Sequence, residues 1–320
     1  MRLLFSILIA ISLNASQSLL DLYQQQGSIA IEKVFDAQLS TKEYWEHRLK
    51  DMNTSFGYFE SINYILACNK NNSHLKLYTK DNNNTFKLSN DFSAFTGKKE
   101  GDKQREGDLK TPIGVYKLIK KLDDVDSFYG PLAFVTSYPN TYDKVRGKNG
   151  SGIWLHGLPL KQKRDDFTKG CIAINNTHLK NIEMKIKLKE SLVYIDTAQY
   201  IQVPKSSLVS LLSGLYRWKT AWKENDIETY LGFYHPDFKR QDGLNLKRFK
   251  RYKHRVFAKN EYKQIDFSHI NIIPYPLAQK DNIYLISFKE VYRSPSYQFT
   301  GNKEIYVQLE DNYFSILAEN

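Results

Sequence analysis

The sequence predicts an α+β protein in three units behind an apolar leader, and three patterns along the chain carry that reading. Apolar residues recur at helical spacing over 16–57. Short strand-like runs and turns fill 58–203, and helices followed by strand-like runs fill 204–320. A chain of 320 residues exceeds one ordinary domain, and 41% hydrophobic with 14% aromatic content suffices for packed cores. Composition therefore excludes a disordered protein.

The leader, 1–15, has one basic residue, Arg2, then an apolar run ending at Asn14 and Ala15. A spanning helix needs ~20 apolar residues, so this shorter run reads as a secretory signal cleaved near Ala15. Leu13 is not the small residue usual at the −3 position, and an uncleaved anchor is the alternative. No other stretch could cross a bilayer, so the mature protein is expected to be periplasmic, with no membrane span after cleavage.

Over 16–57, Leu19, Leu20, Leu22 and Tyr23, then Ile31, Val34 and Phe35, recur at helical spacing. Ser40-Thr41-Lys42-Glu43 is a capping-box pattern ahead of Trp45, Leu49 and Met52. So small a helical unit must pack on the next domain or on a second copy, which leaves a homodimer through these helices open.

Over 58–203, Tyr64–Cys68 and Leu75–Tyr78 flank a polar turn and predict a hairpin. Thr85–Leu88, Leu132–Thr136 and Ser191–Ile195 read as further strands, and the charged 97–110 segment as a mobile loop. Pro204 marks the boundary. Beyond it, helices are expected over 208–222, 226–234 and 245–257, then strands over 266–273, 282–292, 303–309 and 313–317. With its own helices, sheet and aromatic residues, 204–320 is expected to fold alone.

The chemistry centres on His156 and Cys171, with fourteen residues between them. A cysteine is a nucleophile as thiolate, which needs a base or cation within reach. Gly152–Gly157 reads as an apolar strand delivering a histidine into a glycine turn, and Cys171 follows Gly170, where backbone can approach a substrate closely. Asn175–Leu179 looks like a helix start, whose dipole would favour the thiolate. The competing readings are a disulfide between Cys171 and Cys68, and a strand-end histidine with a purely structural role. Cys68 lies in the apolar run Asn63–Cys68, where a buried free thiol is the ordinary expectation.

Thr168-Lys169-Gly170-Cys171-Ile172 resembles the L,D-transpeptidase (YkuD-type) signature, a histidine followed by [S/T]-H-G-C-hydrophobic-[N/R]. Lys169 replaces the usual histidine and Ala173 the usual Asn or Arg. Thr111-Pro112-Ile113-Gly114-Val115-Tyr116 looks like the family's T-P-x-G-x-Y segment. The resemblance covers 58–203 and implies a mainly β catalytic domain. It implies Cys171 as nucleophile, His156 as base and the Gly157 carbonyl as the group orienting His156. The N–H groups of Gly170 and Cys171 are the expected oxyanion hole. Trp154, Arg146, Lys148, Thr168 and Lys169 are expected to line the cleft and meet substrate carboxylates.

The segment 218–234 resembles nuclear-transport-factor-2-like α+β cone domains. As a whole, the chain resembles the cell-shape peptidoglycan L,D-carboxypeptidases of helical epsilonproteobacteria. That resemblance implies trimming of tetrapeptide stems to tripeptides at the bond between meso-diaminopimelate and D-alanine. An L,D-transpeptidase, forming cross-links or attaching a protein to the wall, and a non-catalytic wall-binding module remain the alternatives. No His/Cys/Asp/Glu cluster has zinc-ligand spacing, so neither metal nor cofactor is expected.

The net charge of +11 suits an acidic partner such as the stem peptides of peptidoglycan. Nucleic acid is not expected for an exported chain without a recognisable nucleic-acid motif. Residues 239–263 hold ten Lys or Arg against Asp242 and Glu261, which reads as an anion-gripping helix or as a solvated basic face.

Overall fold

The computed structural model describes residues 2–161, 165–198, 202–276 and 282–320, with side chains from residue 18 onward. Its first helix, α1 (Arg2–Leu39), breaks at Gly27, whose φ of 75° suits glycine. Leu20, Tyr23, Ile29 and Phe35 are exposed on it, so this helix does not dock by an apolar stripe. It docks by charge, through Asp36, which lies 2.7 Å from Lys219 and 2.9 Å from Lys223. The next helix, α2 (Lys42–Leu49), is capped by Thr41, one residue later than the box from Ser40 predicts. Its Trp45 and Leu49 enter the C-terminal core. The stretch 1–15, read as a signal, includes residue 1 and side chains that lie outside the described residues.

The middle unit is a closed eight-stranded barrel. Before it, β1 (Tyr58–Phe59) pairs with Asn271 and Ile272 of the C-terminal sheet. The unit read as starting at 58 thus begins on its neighbour's sheet edge, because two residues carry no legible period. The barrel strands are β2 (Tyr64–Asn69), β3 (His74–Lys80), β4 (Phe86–Phe95), β5 (Gly114–Leu122), β6 (Ala133–Thr136), β7 (Trp154–His156), β8 (Ile172–Ile174) and β9 (Ser191–Asp196). They close in the order β2-β3-β4-β8-β7-β6-β5-β9. Helix α3 (Thr141–Val145) follows β6, and α4 (Asn176–Lys185) follows β8. Inward residues such as Leu66, Cys68, Leu75, Phe134, Leu155, Ile172 and Val193 fill the barrel.

The 97–110 loop is pinned, which corrects the expectation of a mobile segment. Lys103 is buried and sits 2.8 Å from Asp108. Asp108 also accepts the N–H groups of Gln104, Arg105 and Lys110. Lys70 donates to the carbonyls of Gly101 and Thr111, and Asp102 accepts the Ile113 N–H at 2.9 Å. The Lys103–Asp108 pair is thus spent inside the loop.

The C-terminal unit holds α5 (Lys205–Lys223), α6 (Ile227–Gly232), β10 (Tyr234–Arg240), α7 (Leu246–Phe257), β11 (Gln264–Pro274), β12 (Ile283–Ser294), β13 (Tyr297–Glu310) and β14 (Tyr313–Glu319). Its sheet runs β1-β11-β12-β13-β14-β10 and curves over α5 and its neighbours. The helix expected over 226–234 ends at Gly232, and Tyr234 opens a strand parallel to β14. The boundary residues 199–201 lie outside the described residues.

A third apolar cluster joins the two units. Phe59, Ile62, Ile65, Val115, Leu192 and Tyr194 pack there with Ile273, Tyr275, Ile283, Leu285, Tyr306 and Ala318. Cutting at Pro204 would expose both halves of that seam and remove Trp45, Leu49 and Tyr58 from the C-terminal core. The expectation that 204–320 folds alone is therefore revised: its core is completed from outside the fragment.

Candidate active site

Strand alternation builds the centre of the site. On β7, Trp154 and His156 share one face, and fully buried Leu155 faces the barrel interior. The parallel neighbour β8 pairs Ile172 with Leu155 and Ala173 with His156, which brings Cys171 level with Trp154. The Trp154 N–H lies 3.4 Å from Cys171 Sγ, and Sγ lies 3.4 Å from the Gly152 carbonyl oxygen. An N–H directed at sulfur favours the thiolate, and a carbonyl accepts the thiol proton in the resting state. Cys171 is half-buried and neither cysteine forms a disulfide.

His156 is almost wholly buried, with Nδ1 2.7 Å from the Gly157 carbonyl oxygen. A carbonyl only accepts, so Nδ1 carries the proton and Nε2 is the acceptor side of the ring. The Tyr129 ring meets His156 edge-on at 5.0 Å and Trp154 at 5.1 Å. Sequence reading missed Asn176, whose amide accepts the Leu158 N–H at 2.8 Å and donates to the Leu158 carbonyl at 3.0 Å. A Cβ on Gly157 would collide with that amide and come within 2.9 Å of Pro131 Cδ. Glycine is required at that turn.

The 168–171 turn is held from inside. Thr168 is buried, its hydroxyl donates to the Cys171 carbonyl at 2.7 Å, and it accepts the Gly170 N–H at 2.9 Å. Thr168 also bonds the 96–98 backbone, its N–H reaching the Thr96 carbonyl and its carbonyl accepting the Lys98 N–H. Gly170 has φ 140°, and a Cβ there would come within 2.9 Å of the Lys110 carbonyl.

Several expected site residues need correction. The Gly170 N–H is committed to Thr168, so it does not serve as an oxyanion donor while that bond stands. The buried Thr168 hydroxyl braces the loop through Cys171 and Gly170. Lys148 is buried, 2.5 Å from Asp102 and 2.8 Å from Asp143, so its ammonium does not reach a substrate carboxylate. Arg146 is held by Asp143 at 3.1 Å and lies over the Tyr142 ring at 4.4 Å, beside the C-terminal unit. Lys169 is exposed and Trp154 half-buried. The α4 N-terminus does not meet the thiol either, because β8 stands between them and a helix dipole fades within one turn. Among the described residues no group of His, Cys, Asp or Glu converges as metal ligands.

Cys68 faces the barrel core, where burial pushes its thiol up to about 12. Such a thiol is inert near neutral pH. A separate cavity of about 670 Å³ opens in the C-terminal unit, with Trp222, Lys253, Glu290, Tyr292 and Lys303 in its wall. The Lys253 ammonium lies 4.8 Å from the Trp222 ring centre and 5.0 Å from that of Tyr230, and burial lowers its pKa to about 8. Burial raises the pKa of Glu290, whose Oε2 has no hydrogen-bond partner.

Residues 63–195 match the L,D-transpeptidase catalytic domain (YkuD), and residues 210–320 match the Cds6 C-terminal NTF2-like domain. The chain is similar to the helical cell shape determining protein Pgp2 of Campylobacter jejuni. It is 39% identical over 88% of this chain and 100% of that one, with a TM-score of 0.81. Bd1075 of Bdellovibrio bacteriovorus matches at 28% identity, covering 84% of this chain and 95% of that one, with a TM-score of 0.62. YafK of Escherichia coli K12, described as "Putative L,D-transpeptidase YafK", is 34% identical over 82 residues, or 26% of this chain. That match spans 30% of the length of the curated relative.

Proposed function

Because the chain belongs to the L,D-transpeptidase (YkuD) family and carries an NTF2-like domain behind the catalytic one, we propose that it is a peptidoglycan L,D-carboxypeptidase. It would trim tetrapeptide stems to tripeptides in the periplasm and so affect cell shape, the property named for its Campylobacter relative. The observation that supports this reading is the β7–β8 pairing of His156 with Ala173, two residues after Cys171, together with a His156 ring braced by its own turn.

In this reading His156 Nε2 takes the Cys171 thiol proton, and the thiolate attacks the carbonyl carbon between meso-diaminopimelate and D-alanine. The oxyanion that forms is met by the Cys171 N–H. Collapse breaks the C–N bond, the imidazolium protonates the leaving D-alanine amine, and a thioester remains on Cys171. Water, deprotonated by His156, then releases the tripeptide. In this reading Trp154, half-buried, and Lys169, exposed, would flank the entering peptide. None of these steps requires a metal or cofactor.

The transpeptidase alternative shares every residue and differs in whether an amine or water enters the thioester. The similarity to YafK supports it. Under the third alternative, a wall-binding module without catalysis, the thiol would have no role. Incubating purified tetrapeptide muropeptides with the protein and weighing the products separates all three. Tripeptide supports hydrolysis, cross-linked or exchanged peptide supports transpeptidation, and unchanged substrate supports the module. Self-association through α1 is a further part of this reading, supported by exposed Leu20, Tyr23, Ile29 and Phe35.

A further inference from the structure

Tyr129 carries a ring that packs on the site and not in a core. It ends a short 3-10 turn (Ser127–Tyr129) capped by Asp126, whose carboxylate accepts the Phe128 N–H at 2.8 Å. This turn lies backbone against backbone on the turn after His156. The Gly157 N–H donates to the Tyr129 carbonyl at 2.8 Å, and the Leu160 N–H to the Ser127 carbonyl at 3.0 Å. A Cβ on Gly130 would come within 2.7 Å of Gly157 Cα, so the two turns run too close for a side chain between them. From there the Tyr129 ring meets His156 at 5.0 Å with an interplanar angle of 88°, and Trp154 at 5.1 Å with an angle of 60°. Tyr129 is half-buried, and among the described residues it belongs to none of the three apolar clusters. Filling a core therefore does not account for it.

His156 has a use for such a contact. The hydrogen bond from Nδ1 to the Gly157 carbonyl fixes one atom of the imidazole. The torsion that turns a histidine ring is broad, without sharp staggered wells, so a single bond leaves the plane free to rock. Rocking about Nδ1 moves Nε2 toward or away from the thiol it must deprotonate. A second ring, set almost perpendicular to the first, resists that motion, and edge-to-face pairs are a favoured aromatic arrangement. We propose that Tyr129 is a positioning residue for the base: its ring holds the His156 imidazole in the plane from which Nε2 serves Cys171. The same ring packs on Trp154, whose N–H lies 3.4 Å from Cys171 Sγ, so one side chain braces both sides of the thiol–imidazole pair. The proposal rests on the thiol–imidazole reading of the site and deepens it.

The test compares the full chain with its Tyr129→Leu, Tyr129→Phe and His156→Ala variants and with the double variant Tyr129→Leu, His156→Ala. Two quantities are read: the rate constant for iodoacetamide labelling of Cys171, and kcat and KM on tetrapeptide muropeptides. An edge-to-face pair is worth a factor of roughly two to ten, so Tyr129→Leu should lower the labelling rate constant and kcat by about that factor, with KM unchanged. Tyr129→Phe keeps the ring and should restore both. In the His156→Ala background, Tyr129→Leu should slow labelling no further, because the ring acts through the imidazole. A smaller folded fraction lowers the amplitude of labelling and not its rate constant, so partial misfolding does not imitate the effect. Wild-type rates in Tyr129→Leu would overturn the proposal. So would an equal loss in Tyr129→Phe, which would give the part to the hydroxyl, or a raised KM with kcat unchanged, which would make Tyr129 a substrate contact. A slowing by Tyr129→Leu that persists without His156 would overturn it as well. If the wild type releases no tripeptide, the carboxypeptidase reading falls, and the labelling rates still decide the assignment of Tyr129.

Discussion

His156 Nδ1 lies 2.7 Å from the carbonyl oxygen of Gly157, the next residue in the chain. The ring is therefore oriented by its own turn, and that turn is fixed from outside by the Asn176 amide on Leu158. Asn176→Ala leaves a backbone N–H and carbonyl without their partners, which costs about 1–3 kcal/mol. The expected outcome is a lower melting temperature and a lower kcat. Gly157→Ala, which collides with Pro131 and Asn176, should lower kcat more steeply. Steady-state kinetics on muropeptides with wild-type values for both variants would remove the turn from the account.

The two cysteines should separate cleanly. Cys171→Ala should abolish cleavage and leave thermal unfolding unchanged, because a half-buried turn thiol contributes little packing. Cys68→Ala should keep activity and lose on the order of 1 kcal/mol, the expectation for a small deletion in a packed core. Iodoacetamide should label Cys171 first, since burial holds the Cys68 thiol near 12. Mass mapping of the alkylated peptide decides it, and first labelling at Cys68 would reverse the assignment.

Much of this was legible in the sequence, and the failures have physical causes. The β2–β3 hairpin showed as two apolar runs around a polar turn, and α5 as leucines and tryptophans on one helical face. β10 was missed because Tyr234–Arg240 is half exposed and carries Pro236, which masks a strand period. β7 showed as the apolar run ahead of His156, whereas β8, at three residues, is too short for periodicity and was not read as a strand. Lys148 was misread because its partners Asp102 and Asp143 are distant in sequence or out of register. A lysine's burial cannot be read without them. Asn176 gave no signal, since an asparagine at a helix start ordinarily reads as a cap.

Lys148 illustrates what that buried network should cost. Lys148→Met leaves Asp143 without that cation in a buried site, and breaking a buried pair costs about 3–5 kcal/mol. The double variant with Asp143→Asn should recover part of the loss. Urea unfolding of the four proteins measures it, and additive losses would show that the pair is not coupled.

Acid should release the 97–110 loop. Although burial works against its charge, the Lys103 ammonium and three backbone N–H groups hold the Asp108 carboxyl well below the usual carboxylate range. A depressed folded-state pKa stabilises above the unfolded value of about 3.9, and that stability is lost as pH falls below it. Asp108→Asn should therefore lower stability at neutral pH and flatten its fall between about pH 4 and lower values. Tryptic cleavage at Arg105 should also quicken in the variant at neutral pH. A parallel acid profile in both proteins would contradict this role.

Removing 204–320 should leave an aggregating barrel and not a compact enzyme, because Ile65, Val115, Leu192 and Tyr194 lose their apolar cover. A truncated chain that stays monomeric, by light scattering, and cleaves soluble muropeptides would show the seam to be dispensable.

The central claim, hydrolysis through Cys171, is tested most directly by mass spectrometry of purified tetrapeptide muropeptides after incubation with wild type and with Cys171→Ala. The account predicts conversion to tripeptide with release of D-alanine by the wild type, no metal added, and intact tetrapeptide with the variant. Tripeptide formed equally by the alanine variant would contradict it.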